Sequence, residues 1–270
     1  VRKRALRAAE GVVVVEGAEL LAAALDAGCA IEAVYVAPEG AAVPAVASVA
    51  DRVAAAGGRV FDLAAGVMER VASTVTPQPV VAVVAYRPAG LDVLDGASLV
   101  VVCVDVRDPG NLGTVIRTAD AAGADAVVCC EGTVDPTNPK CVRATAGSLF
   151  HVPVVEGGAV ADVLAALAAR GITTVATVVR GGTDHTEIDW TTPSALVLGN
   201  EASGLPAELA GAMDRRATVA MAGRAESLNV SMAAAVVAFE AVRQRRSAGS
   251  TMPGMDGAPD APRPRGPEPA

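Results

Sequence analysis

Short Val/Ala/Ile runs alternate with longer alanine-rich stretches whose apolar positions recur every three or four residues. The first kind predicts strands and the second amphipathic helices. In the first part of the chain strands are expected at Val12–Val15, Ile31–Ala37, Arg59–Phe61 and Val80–Ala85, with helices at Ala18–Ala27, Val43–Ala56 and Gly66–Val71. The opening Val1–Arg7 alternates charge with alanine and is expected to lead directly into the first strand. Residues 87–97 mix Pro, Gly and Asp and read as a linker. Beyond it strands are expected at Leu99–Val104, Ala126–Cys130, Ile172–Thr177, Ala195–Leu198 and Arg216–Ala220, with His151–Val155 as a short edge strand. Helices are expected at Gly113–Ala122, Asn138–Ala144, Ala159–Ala169, Pro206–Leu209 and Ser231–Val242. The near-continuous apolar character of Leu99–Val104 and Ala126–Cys130 suits a parallel sheet covered on both faces, so the fold class is α/β, doubly wound.

This pattern divides the chain into a small α/β domain over residues 1–89, a larger one over residues 97–243 and a Pro/Gly-rich tail over residues 244–270, expected to be disordered. Composition changes the picture in two respects. Aromatics make up only 2 % of a chain that is 52 % apolar, so the cores should be small-aliphatic. The net charge of −8 argues against a general nucleic-acid coat protein. Between residues 95 and 243 there are 10 cationic and 17 acidic side chains, so phosphate contact there must come from a few placed arginines. Five cysteines without metal-ligand spacing read as reduced, buried small hydrophobes of a cytoplasmic protein, and no metal is expected. The basic start lacks the apolar core of a signal peptide, and no apolar run is long enough for a membrane span.

Three strand-to-helix junctions concentrate polar residues: Asp108-Pro-Gly-Asn-Leu-Gly113 with Arg117, Leu198-Gly-Asn-Glu-Ala-Ser-Gly-Leu205, and Met221-Ala-Gly-Arg-Ala-Glu-Ser-Leu-Asn-Val-Ser231. In the first, Asn111 sits where a helix cap is expected, and Arg117 can pair with Asp105 or Asp120 or reach a phosphate. In the second, Gly199 directly follows an apolar strand, as close ligand approach requires, and Glu201 is either a ligand-loop acid or a solvated one. In the third, Ser227, Asn229 or Ser231 caps the last helix. A fourth patch, Asn138–Gly147, puts Lys140 and Arg143 on one helical face, which suits phosphate. No G-x-G-x-x-G follows a strand, which speaks against a nicotinamide enzyme.

In this order and spacing the three junctions resemble the signature motifs of the SpoU/TrmH group of SPOUT RNA ribose 2′-O-methyltransferases. Val15-Glu-Gly17 and Ser73–Pro79 resemble the opening and closing segments of the L30e-like domain that precedes the catalytic domain in many members, with Pro79 where glycine is usual. Members often carry further basic residues before this match, so a basic arm is expected to be short or absent here. The resemblance implies a deep trefoil knot from about Leu196 through the last helix and a homodimer that completes each site. It implies methyl transfer from S-adenosylmethionine to a ribose 2′-hydroxyl, with Arg117, Asn111, Glu201, Ser227 and Asn229 as catalytic residues. Cofactor contacts would come from Thr177, Val178, Leu198, Gly199, Asn200, Gly204, Val219, Met221, Leu228 and Asn229, and RNA contacts from Arg107, Arg117, Lys140 and Arg143. Ala202 stands where glycine is usual, and Thr145 where serine is. Ribosomal RNA is favoured over transfer RNA. A transfer-RNA enzyme, or a non-catalytic RNA-binding or ribosome-assembly module of the same fold, is the alternative.

Overall fold

The computed structural model describes residues 3–71 and 76–249. The chain opens with α1 (Arg4–Glu10), not with the extended lead-in that its alternating charges suggest. Arg, Ala and Leu all favour helix, and Gly11, at φ 64°, ends it in the left-handed conformation that glycine adopts freely. There follow β1 (Val12–Glu16), α2 (Ala18–Asp26), β2 (Ile31–Val36), α3 (Pro44–Ala55), β3 (Arg59–Asp62), α4 (Met68–Val71) and β4 (Val80–Ala85). The four strands form one mixed sheet in the order β1-β4-β2-β3, with β3 parallel to β2 and the other pairs antiparallel. The segment Ser73–Pro79 lies partly outside the described residues.

The expected linker is not a free tether. Ala89 bridges to Val155 and the short 3-10 turn Leu91–Leu94 buries Leu94. The second part contains β5 (Leu99–Cys103), α5 (Pro109–Ala121), β6 (Ala126–Cys130), α6 (Pro139–Ala144), β7 (Val154–Gly158), α7 (Val160–Ala168), β8 (Thr173–Thr177) and β9 (Thr183–Asp184). It ends with β10 (Ser194–Leu198), α8 (Ala207–Gly211), β11 (Arg215–Thr218) and α9 (Val230–Ser247). All seven strands are parallel, in the order β7-β6-β5-β10-β8-β11-β9. Every residue of β5, β6 and β10 is buried, as a sheet covered on both faces requires.

One apolar cluster covers one face of this sheet and continues without a break into the first part, joining Val13, Val15 and Leu21 to Leu112, Ile116, Leu198 and Val237. Buried Arg7 strengthens the junction by pairing with Asp135 and donating to Thr137 at 3.0 Å. The last helix runs beyond the expected end at Val242 to Ser247, so residues 244–247 are helical. Arg245 explains the extension. Its buried guanidinium donates to the carbonyl oxygens of Trp190 (2.8 Å), Ser98 (2.8 Å) and Thr192 (3.3 Å). Residues 250–270, most of the expected tail, lie outside the described residues.

Candidate active site

The three polar junctions meet at the carboxyl ends of the parallel strands, where open α/β sheets bind ligands. The loop after β5 turns into α5 through Asp108, whose carboxylate caps the helix by accepting from the Asn111 backbone N–H at 2.9 Å. Asn111 is therefore not the cap but the third residue of the helix, and its amide is free for other work. Its Nδ2 donates to Glu201 Oε1 at 3.1 Å, while its Oδ1 accepts from Asn229 Nδ2 at 3.0 Å. Of the three capping candidates for α9, Asn229 is the cap, accepting from both the N–H and the hydroxyl of Ser231. A chain of hydrogen bonds, Asn229 to Asn111 to Glu201, thus ties all three junctions together.

Glu201 is the hinge of this chain. Besides Asn111 it accepts the backbone N–H of Asp108 at 2.8 Å and of Arg107 at 3.1 Å. Partial burial pushes its carboxyl up, but these donors outweigh that effect and hold it below the usual carboxylate range. Asn200 fastens the same two loops from the other side, donating to the Asp105 carbonyl at 2.9 Å and accepting the N–H groups of Ala202 and Ser203. Asp105 itself sits at φ 55°, a conformation disfavoured for residues other than glycine and, to a lesser degree, Asn and Asp. Gly199 is obligatory, because a Cβ there would lie 2.4 Å from the backbone of Gly204 and Leu205. Ala202 is not among the residues of positive φ, so the alanine is accommodated, and Gly204 takes the left-handed turn at φ 65°.

The expected cofactor contacts fall on neighbouring strand ends. Thr177 and Val178 close β8, Leu198 to Gly204 follow β10, and Val219, Met221 and Leu228 follow β11. Val178, Val219 and Met221 are half-buried and Leu228 is exposed, so all four keep apolar surface at these strand ends. Thr177 is turned into the sheet, where its hydroxyl donates to the Val197 carbonyl at 3.0 Å.

Arg117 and Ser227 stand apart from the hydrogen-bonded group. Arg117 lies in the second half of α5 and not in its first turns, and it is exposed. Neither anticipated partner holds it, since Asp105 pairs with Arg107 and Asp120 with His151. Among the described residues it makes no hydrogen bond or ion pair. Ser227 is exposed and likewise without a partner among them. Lys140 pairs with Asp108 at 2.9 Å, which together with the Asn111 N–H lowers the Asp108 carboxyl. Arg143 faces buried Glu16 of the first part at 3.7 Å. Arg180 and Arg224, which the pattern reading did not single out, are exposed on the loops leaving β8 and β11. Their signal was an arginine in a polar loop of an otherwise acidic domain. Among the described residues no His/Cys/Asp/Glu group is arranged to hold a metal.

Comparison with known proteins gives this geometry a context. The chain is 42 % identical over 169 residues to the 23S rRNA (guanosine(2553)-2′-O)-methyltransferase RlmP of Bacillus subtilis, a match covering 63 % of this chain and 66 % of that protein. The AdoMet-bound rRNA methyltransferase from Sinorhizobium meliloti superposes with a TM-score of 0.78 at 36 % identity, over 90 % of this chain and 91 % of that one. The SpoU methyltransferase AviRb from Streptomyces viridochromogenes superposes with a TM-score of 0.81 at 30 % identity, over 91 % and 94 %. Residues 1–82 match the MRM3-like substrate binding domain, and residues 98–239, with all three junctions inside them, match the SpoU rRNA Methylase family. The protein belongs to the SpoU rRNA Methylase family.

Proposed function

We propose that the protein transfers the methyl group of S-adenosylmethionine to a ribose 2′-hydroxyl of RNA, with ribosomal RNA the favoured substrate. The observation that carries this reading is the Asn229–Asn111–Glu201 chain, which ties three loops together at the carboxyl ends of the strands. A relative by sequence is named as a 23S rRNA 2′-O-methyltransferase, and relatives of matching fold were crystallised with AdoMet. The cofactor would lie on the Gly199–Gly204 backbone against Val178, Val219, Met221 and Leu228. When bound it supplies an electrophilic methyl group. The remaining task falls to the protein: to hold the 2′-oxygen in line and to stabilise charge developing on it. Arg117 suits the second part, because a guanidinium offers a planar cationic fork and this one makes no ion pair among the described residues. Arg107, Lys140 and Arg143 would contact RNA phosphates, joined by Arg180 and Arg224, and Ser227 would face the ribose.

The same reading includes an L30e-like first domain, a cytoplasmic setting and a knot formed by the chain from about Leu196 through α9. Among the described residues no helix is long and apolar enough to cross a membrane. It also includes a homodimer. Met232, Val236 and Phe239 follow one another at helical spacing on α9 and stay 51 %, 38 % and 47 % exposed, although the opposite side of the helix is already packed. A second copy seated on that stripe would give the outward-facing Arg117 a site to complete. The test is isothermal titration of S-adenosylmethionine and S-adenosylhomocysteine, followed by ribose-methylation mapping of ribosomal RNA from cells with and without the gene. No cofactor binding by folded protein, or an unchanged methylation map, would remove the enzymatic reading.

A further inference from the structure

We propose that Tyr35, Phe61 and Arg59 form a stacking platform for an unpaired base of the RNA substrate on the outer edge of the first domain. The proposal rests on the reading that the protein acts on RNA. The chain has only six aromatic residues, and its cores are built from valine and alanine. Three of the six are spent on packing: Trp190 is fully buried, and Tyr86 meets Phe150 edge-on in the shared core. Tyr35 and Phe61 are placed differently. They face each other across the β2–β3 pair with ring centroids 5.3 Å apart and planes within 17°, and Phe61 remains 40 % exposed. All four residues of β3 are exposed, and β3 is the edge of its sheet. The Arg59 guanidinium carbon lies 5.9 Å from the Phe61 ring centroid, steadied by a 3.4 Å hydrogen bond from Nε to the Glu32 carbonyl.

A stacked ring pair exposed at a sheet edge, with a guanidinium over one of its rings, offers π surface to a flat base and charge to its phosphate. Sequence-tolerant recognition of single-stranded RNA uses this combination, because every base has a π face. RNA is favoured over a peptide added to the β3 edge by the arginine, and because residues 1–82 match a substrate-binding domain.

The experiment uses the full chain, radiolabelled 23S ribosomal RNA transcribed in vitro and filter binding, with methyl transfer measured alongside. Phe61→Leu and Tyr35→Leu keep apolar bulk and remove a ring face. Each is expected to weaken RNA binding and raise KM for RNA by about five- to a hundredfold, with kcat, cofactor affinity and melting temperature unchanged and Phe61→Trp restoring binding. RNA affinity unaltered in Phe61→Leu would overturn the proposal and leave the edge to a peptide strand. So would a loss that Phe61→Trp fails to rescue. A parent that binds RNA with this dependence on Phe61 yet never methylates it would keep the platform and remove the enzymatic reading.

Discussion

Glu201 holds two loops with one carboxylate, and its replacement by glutamine tests how much depends on both oxygens. Oε2 accepts from Arg107 and Oε1 from Asp108 and Asn111, so an amide must turn an NH2 group toward one backbone donor. Glu201→Gln should cost about 1 kcal/mol, a fall in Tm of about 2–4 °C, and weaken cofactor binding as the loops loosen. Because the folded carboxyl is held low, its contribution is full above the unfolded value of about 4.3 and fades as the pH falls through the folded one. Acid titration of cofactor affinity should therefore show a carboxylate step that the Gln variant lacks. Arg117→Ala should act in the opposite way. With no partner among the described residues to lose, the variant should keep its Tm and cofactor affinity, while single-turnover methyl transfer falls by about 10²–10³. A rate equal to the parent's would mean that the oxyanion is stabilised by another residue. Two of the thiols should be silent: burial raises Cys130 to about 11 and Cys141 to about 12, so both should resist iodoacetamide in the native chain at neutral pH.

At the level of single elements, α9 carries a proposed site residue at one end and its anchor at the other. Asn229 caps it and reaches Asn111, while Gln244 and Arg245 fasten its last turns to the Ile188–Thr192 segment. Truncation after Val242 would leave the carbonyl groups of Ser98, Trp190 and Thr192 without this buried donor. We expect a loss of several degrees in Tm, read by calorimetry, and weaker cofactor binding although none of the proposed cofactor contacts is deleted. The hydrophobic pattern could not reveal this end of the helix. Arg243-Gln-Arg-Arg246 reads as a solvated terminus, and only tertiary contact shows that one of those arginines is buried. Strand identities were legible because β5, β6 and β10 are continuous apolar runs. The site was legible as three polar junctions, but not the division of labour within them. Asn111 was a natural capping candidate until the structure put Asp108 in that place, and the two-residue β9 is too short to leave a periodic signal.

For the molecule as a whole, the unbroken core and the Arg7–Asp135 pair mean that the two parts should not melt separately. A single calorimetric transition is expected, and Arg7→Ala, which takes the buried cationic partner from Asp135, should lower its temperature without splitting it. Two resolved transitions would show that the parts are energetically independent. At the next level up, sedimentation equilibrium should give a dimer at micromolar concentration, and Phe239→Glu a monomer with reduced methyl transfer. A parent that sediments as a monomer would leave the α9 stripe without its proposed cover.

The position of β10 has a further consequence, for the order in which the protein can be made. β10 lies between β5 and β8 and, among the described residues, is the one strand that touches both. Yet it emerges from the ribosome later than either of them. Until residues 194–198 are synthesised, β5 and β8 each present a bare inner edge, and no earlier segment can join the two halves of the sheet. Such open edges invite association between chains, and pairings this distant in sequence are slow to form. Nascent chains arrested before Ser194 should therefore be insoluble or chaperone-bound, whereas chains released after α9 should not. In this protein the keystone of the sheet is the sixth of its seven strands to be delivered.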